Sequence, residues 1–353
     1  MIILKDSIKN KFNVDYIDSM RGVAILMVLA VHSTMFFKLF NLSELPFNIE
    51  KILYSGKYGV ALFFIVSAYT LFRSLDLRKE NSFVKYFIRR FFRIAPMYYL
   101  VLIVLFIVDN DQGISTLNLT THILFINGFF VNYFNSIMGV EWTIFVEVAF
   151  YLLLPLIYCY KKHLLKIVVF AFILSFVNGL YVMQLNGLEQ SQFASFPLAW
   201  FPVFMLGILI YEYRDKYRKV FTKHGKSILL LVIFTFVCLS YLNFPGRYLF
   251  FSTLLAFFYM LNKYNAIVFF NNSFFKKIGK YSFSIYLLHI PIFDFISAHS
   301  GGWYVFDNQI VGYVIVTFVA ISVVFSVSYL TYNLIEKPFM IVGSNLIKKL
   351  KYD

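Results

Sequence analysis

The feature that most constrains this chain is the recurrence of long apolar runs separated by short, basic connections. About ten runs of roughly 17 to 24 residues are long enough to cross a bilayer as helices. They fall near 20–40, 57–75, 92–109, 141–160, 164–184, 196–213, 227–243, 247–262, 279–299 and 312–335. In lipid every backbone polar group must be satisfied within the element, so such runs fold as helices. The expected fold is all-α: a polytopic membrane bundle of about ten transmembrane helices. Composition supports this, with 60% hydrophobic and only 14% charged residues over 353 positions, too little polar surface for a soluble domain.

The net charge of +14 could suggest nucleic acid, but its distribution argues for topology instead. With a cytoplasmic N-terminus, the connections at 1–21, 73–93, 161–166, 212–226, 263–280 and 336–353 hold 28 of the 32 Lys and Arg residues. Lys38, Lys51, Lys57 and Arg247 remain for the other side. This asymmetry places both termini in the cytoplasm. One membrane domain over 1–353 is expected, with a cytoplasmic segment at 1–15 and a short basic tail at 340–353. Lys5, Lys9 and Lys11 precede the first run. That run is too long for a signal-peptide core, so it is expected to be a retained helix. The stretch 122–134 is short and Asn-rich, and reads as re-entrant or interfacial.

Ionisable groups within lipid are costly, so they mark cavities, ion paths or reaction centres. Arg21 and His32 lie in the first run, eleven residues apart. That separation is about three helical turns and roughly 16 Å of rise, which puts both on one face. Asp18 shares this face, fourteen residues before His32. Glu147 enters the fourth run from its outer end, roughly 7 to 9 Å below the interface-suited Trp142. An imidazole and a carboxylate at matched depth can serve as an acid–base or base–orienter pair. The connection 73–93 carries Arg73, Arg89, Arg90 and Arg93. Arg90 and Arg93, three residues apart at a helix start, suit a phosphorylated ligand on the cytosolic side. In the ninth run His289 precedes Pro291. The histidines at 122, 163, 224 and 299 read as loop or edge residues with no assigned role.

Metal-ligand spacings are absent from the sequence: it contains no HExxH and no paired cysteines. Cys159 and Cys238 both sit in apolar runs. Ser67 lacks the GxSxG frame of a nucleophile elbow.

These segments, in order, resemble the acyltransferase-3 family of bacterial membrane O-acyltransferases. Asp18, Arg21 and Gly22 followed by His32 resemble its opening D-x-x-R-G…H pattern. Residues 59–67, ending in Ser67, resemble its second-helix motif, and 89–96 its R-x-x-R-I-x-P element. Trp142, Thr143 and Glu147 are similar to its W-S-L-x-x-E segment. Residues 279–291, with Tyr286 and His289, and 336–339 resemble its last two signatures. Ala68 stands where Gly is usual, and Thr143 where Ser is usual. Some relatives carry an appended hydrolase-like domain, which is not expected here.

The resemblance implies transfer of an acyl group, most often acetyl, from acyl-coenzyme A (acetyl-CoA) to a hydroxyl of a cell-surface or secreted glycan. No metal is implied. The place is a lipid bilayer, the inner or plasma membrane. His32 would act as general base and Glu147 would orient it or stabilise its charged form, with Arg21 on the same track. The nucleotide end of the donor would rest on Arg73, Arg89, Arg90 and Arg93, while Asp18, Ser67, Trp142, Tyr286 and His289 support the site. Direct transfer and an acyl-histidine relay both remain open. A transporter or flippase using the same polar track is the rival class. It calls for paired broken helices or repeated halves, and the sequence shows neither.

Overall fold

A computed structural model describes residues 15–37, 49–78, 83–108, 114–242, 246–264, 269–299 and 309–350. The expected N-terminal segment up to residue 14 and the last three residues of the tail lie outside them. In chain order the helices are α1 (Asp15–Phe36), α2 (Ile49–Tyr54), α3 (Gly59–Arg78), α4 (Phe83–Val108), α5 (Thr116–Ile123), α6 (Glu141–Cys159) and α7 (Leu164–Val182). They continue with α8 (Gly187–Ala194), α9 (Pro197–Glu212), α10 (Arg218–Tyr241), α11 (Arg247–Lys263), α12 (Ser273–His299), α13 (Gln309–Thr331) and α14 (Lys337–Lys349).

The described residues contain no strand. Nine of their helical stretches are long and apolar enough to span a membrane. The eighth expected span is also helical, as the 17-residue α11. The protein is therefore an all-α, multi-pass membrane bundle. Its outward faces are apolar, as lipid requires: on α7, Leu165, Phe170, Ile173 and Phe176 are all exposed. Cys159 and Cys238 are free and exposed.

Several helices outrun the apolar segments that signal them. α4 begins at Phe83 and α10 at Arg218, each nine residues before its expected span. The basic turns Arg89, Arg90 and Arg93 thus belong to α4 itself. The tail is mostly helix, since α14 follows α13 through a π-helical turn at Tyr332–Glu336.

Two compact units make up the chain. The first comprises residues 1–78, 203–282 and 304–314, and is centred on α1 and α3. Its tightest crossing lies between α1 and the start of α12. A side chain at Gly279 would collide with the Asp18 carbonyl, and one at Gly22 with the Phe275 carbonyl. Only glycine lets the backbones approach this closely. The second unit comprises residues 79–202, 283–303 and 315–353. Within it α14 lies against α4, with Gly343 directly over the Phe92 ring.

Candidate functional site

In the first unit α1 carries Asp18, Arg21 and His32 on one continuous helix, as the spacing predicts. Asp18 and Arg21 form an ion pair of 3.8 Å, both partly exposed. His32 Nδ1 lies 2.9 Å from the Val28 carbonyl oxygen. A carbonyl only accepts, so Nδ1 carries the proton and donates it, which makes Nε2 the basic nitrogen of the neutral ring. This tautomer is the one a general base needs, and the helix's own backbone sets it. Ser67 is buried on α3. Two residues further along α3, the Tyr69 hydroxyl meets that of Tyr16 at 2.9 Å. The Tyr259 ring packs on both, and Arg73 is an electrostatic neighbour of this tyrosine group.

In the second unit Glu147 accepts a 2.5 Å hydrogen bond from the Tyr151 hydroxyl, one turn further along α6. The Tyr151 carbonyl in turn accepts from the Tyr86 hydroxyl at 3.2 Å. Tyr86 has Arg90, Glu147 and Arg89 as its charged neighbours. Tyr151 and Tyr86 thus lie between Glu147 and the arginines of α4. The Arg90 Nε is buried and has no hydrogen-bond partner among the described residues.

Thr143, one turn before Glu147, is bonded to the Tyr286 hydroxyl at 2.9 Å and donates to the Val140 carbonyl. Trp142 packs on Trp200 with ring centroids 5.4 Å apart. His289 is wholly buried, and its Nδ1 donates to the Tyr286 carbonyl at 2.7 Å. α12 continues through Pro291.

Arg93 differs from its neighbours. Its Nη1 lies 2.6 Å from Glu336 Oε2, and its guanidinium sits 5.7 Å from the Phe283 ring centre. Glu336 is fully buried at the end of the π-helical turn, and its other oxygen accepts from Ser284. Arg93 thus already holds a carboxylate.

One arrangement escapes the sequence. His122 is not a loop histidine: it lies on α5, wholly buried, with Nε2 3.4 Å from Glu141 Oε1. Its Nδ1 donates to the Asn118 carbonyl at 2.9 Å. Glu141 opens α6 and accepts from the backbone N–H groups of Ile137, Met138 and Val140. Three such donors hold the carboxylate against the first turn of α6. The loop before α6 is closed further by Asn127 to Phe134, Asn135 to Gly139 and Ser136 to Asn118. The available signal was the carboxylate at the first turn of a span, preceded by a short charge-free stretch holding one histidine.

The structure thus brings together Asp18, Arg21 and His32 in one unit, and Glu147, Tyr286, Thr143 and the α4 arginines in the other. Among the described residues no group of three or more His, Cys, Asp or Glu could hold a metal.

The fold is a multi-pass helical membrane bundle, and comparison with known proteins supplies its class. The acyltransferase domain model of the acyltransferase-3 family matches residues 14–333, nearly the whole chain, and the chain belongs to that family. A protein of Acidianus two-tailed virus that carries an acetyltransferase name is 28% identical over 215 residues. The match covers 60% of this chain and 63% of that relative, so the chain spans under two thirds of the relative's length. No solved structure matches.

Proposed function

We propose that the protein is a membrane O-acyltransferase that moves an acyl group, acetyl foremost, from acyl-coenzyme A to a hydroxyl of a cell-surface or secreted glycan. The observation that carries this reading is the His32–Val28 hydrogen bond. In a family of acyltransferases, it gives a histidine well inside the first span the protonation pattern of a general base.

In this reading Nε2 of His32 takes the proton of the acceptor hydroxyl as its oxygen attacks the thioester carbonyl. The carbon–sulfur bond breaks, the ester carbon–oxygen bond forms, and the departing thiolate leaves as coenzyme A thiol with the proton that His32 returns. The Tyr151 bond holds the Glu147 carboxylate in one orientation. Arg21, anchored by Asp18, lines the track below His32. Arg89 and Arg90, the latter with its unsatisfied Nε, supply cations for the phosphates at the donor's nucleotide end, while Arg93 shapes that part of α4 through Glu336. The setting is the inner or plasma membrane.

The test is coenzyme A release by purified protein given acetyl-coenzyme A and a polysaccharide acceptor. Acceptor-dependent release that vanishes in His32→Ala is expected; release that persists in that variant refutes the assignment. Trapping of radiolabelled acetyl on the protein in the absence of acceptor separates an acyl-histidine relay from direct transfer.

A further inference from the structure

The Lys and Arg asymmetry that orients the chain leaves four cations on the non-cytoplasmic side, and topology gives them no purpose. Three of them converge. Lys51 and Arg247 line an open cleft of about 390 Å³ in the first unit, together with Tyr54, Ser55, Ser240 and Tyr241. Small-molecule sites occupy roughly 300–1,000 Å³. Lys57 stands beside it, its Nζ 4.2 Å from the centre of the Tyr54 ring. The Lys51 Nζ is 5.5 Å from the Tyr241 ring centre. Arg247 is an electrostatic neighbour of Lys57 and of Tyr58.

Lys57 and Arg247 therefore repel one another, and Lys57 is part-buried. Among the described residues none of the three cations is ion-paired, the Arg247 Nη1 donates to the Leu242 carbonyl at 2.8 Å, and Glu50 is the one carboxylate in the described lining. Interfacial anchoring accounts for isolated lysines around a rim. It does not account for like charges drawn together, which raises the energy of the empty protein. An anion placed among them removes that penalty. The Tyr54 and Tyr241 rings are both exposed at this cleft, and flat apolar ring surface beside cations suits the face of a sugar that carries a negative group.

The cleft also adjoins the helix that carries His32. The 3-10 turn Ser55–Tyr58 leads into α3 and rides directly on α1. A side chain at Gly56 would strike the Met27 carbonyl and press on the Val31 nitrogen at 3.4 Å. That is the turn of α1 whose Val28 carbonyl holds His32.

We infer that this cleft binds the negative group, carboxylate or phosphate, of an anionic glycan acceptor through Lys51, Lys57 and Arg247. The inference rests on the glycan acyltransferase reading for its purpose, but binding tests it without catalysis.

The experiment measures equilibrium binding to the purified full-length protein of three oligomers: a galacturonic acid hexamer, a glycerol-phosphate hexamer and a neutral glucose hexamer. At least one anionic oligomer should bind about tenfold more tightly than the neutral one, with the advantage shrinking as salt rises. Which of the two binds distinguishes carboxylate from phosphate. K57M/R247M should abolish the preference, and the charge-conserving K57R/R247K should retain most of it; unchanged melting temperatures show that both fold. Equal binding of all three oligomers, or a preference that survives K57M/R247M, overturns the inference. Anionic preference without any coenzyme A release supports the cleft and counts against the transferase reading alone. His32-dependent release with no anionic preference does the reverse.

Discussion

The guanidinium of Arg93 and the carboxylate of Glu336 meet at 2.6 Å across 243 residues of chain. The pair joins the middle of α4 to the π-helical turn that follows α13. Glu336 is fully buried while Arg93 is about one-fifth exposed, and Ser284 bonds the remaining carboxylate oxygen. A buried carboxylate stripped of its cation keeps its desolvation penalty, so removing one partner costs about 3–5 kcal/mol, whereas removing both is far milder. Arg93→Met is therefore expected to lower the melting temperature of the detergent-purified protein strongly. Arg93→Met combined with Glu336→Gln should recover much of that loss, in a double-mutant cycle followed by thermal unfolding. Equal and additive losses would show that the two side chains do not depend on one another.

His32→Ala should abolish acyl transfer while leaving the fold intact. The main-chain bond of His32 lies within its own helix, so its loss leaves that segment's backbone ladder complete. A positioned general base contributes roughly 10²- to 10⁴-fold, and coenzyme A release should fall by that factor with expression and melting temperature near wild type. His32→Gln should be as inactive, because an amide has no basic nitrogen.

The bundle was legible in the sequence because run length alone identifies a lipid-crossing helix. All ten expected spans are helices. Their edges were less legible: α4 and α10 extend through 83–91 and 218–226, where charged residues interrupt the apolar run and only helical periodicity continues. The α1 site could be read because Asp18, Arg21 and His32 share one helix, whose geometry is fixed. The Arg93–Glu336 pair could not, although both residues stood in recognisable motifs, because spacing carries no information between distant helices. The Glu141 site was hidden for a different reason. Three of its partners are backbone N–H groups, which every residue but proline supplies and which therefore leave no mark in residue type.

The His122–Glu141 pair should act as the clasp of the loop that precedes α6. Both side chains are fully buried, so His122→Phe leaves the Glu141 carboxyl held by backbone donors alone, and Glu141→Gln puts an amide group among those donors. Each is expected to destabilise the protein by about 1–3 kcal/mol. Limited proteolysis should show faster cleavage between residues 124 and 140 in both variants, with the remaining connections unchanged. Loop cleavage at the wild-type rate in either variant would demote the pair to incidental packing.

Glu147 and Tyr151 separate charge from orientation in the proposed site. The Tyr151 hydroxyl donates at 2.5 Å to Glu147 Oε1, so Tyr151→Phe removes an orienting bond but leaves the carboxylate charged. Glu147→Gln retains the shape and a carbonyl oxygen for Tyr151 but loses the charge that favours an imidazolium. If the carboxylate stabilises developing positive charge, Glu147→Gln should cut kcat by about 10² or more with little change in KM for either substrate, the signature of an interaction made in the transition state. Tyr151→Phe should cost about tenfold or less, the scale of one hydrogen bond to a charged group. Steady-state kinetics on both variants, with acetyl-coenzyme A and acceptor varied in turn, distinguishes the alternatives. Equal losses in the two would make Glu147 a packing residue that acts through the Tyr151 bond. A larger loss in Glu147→Gln alone assigns the effect to its charge.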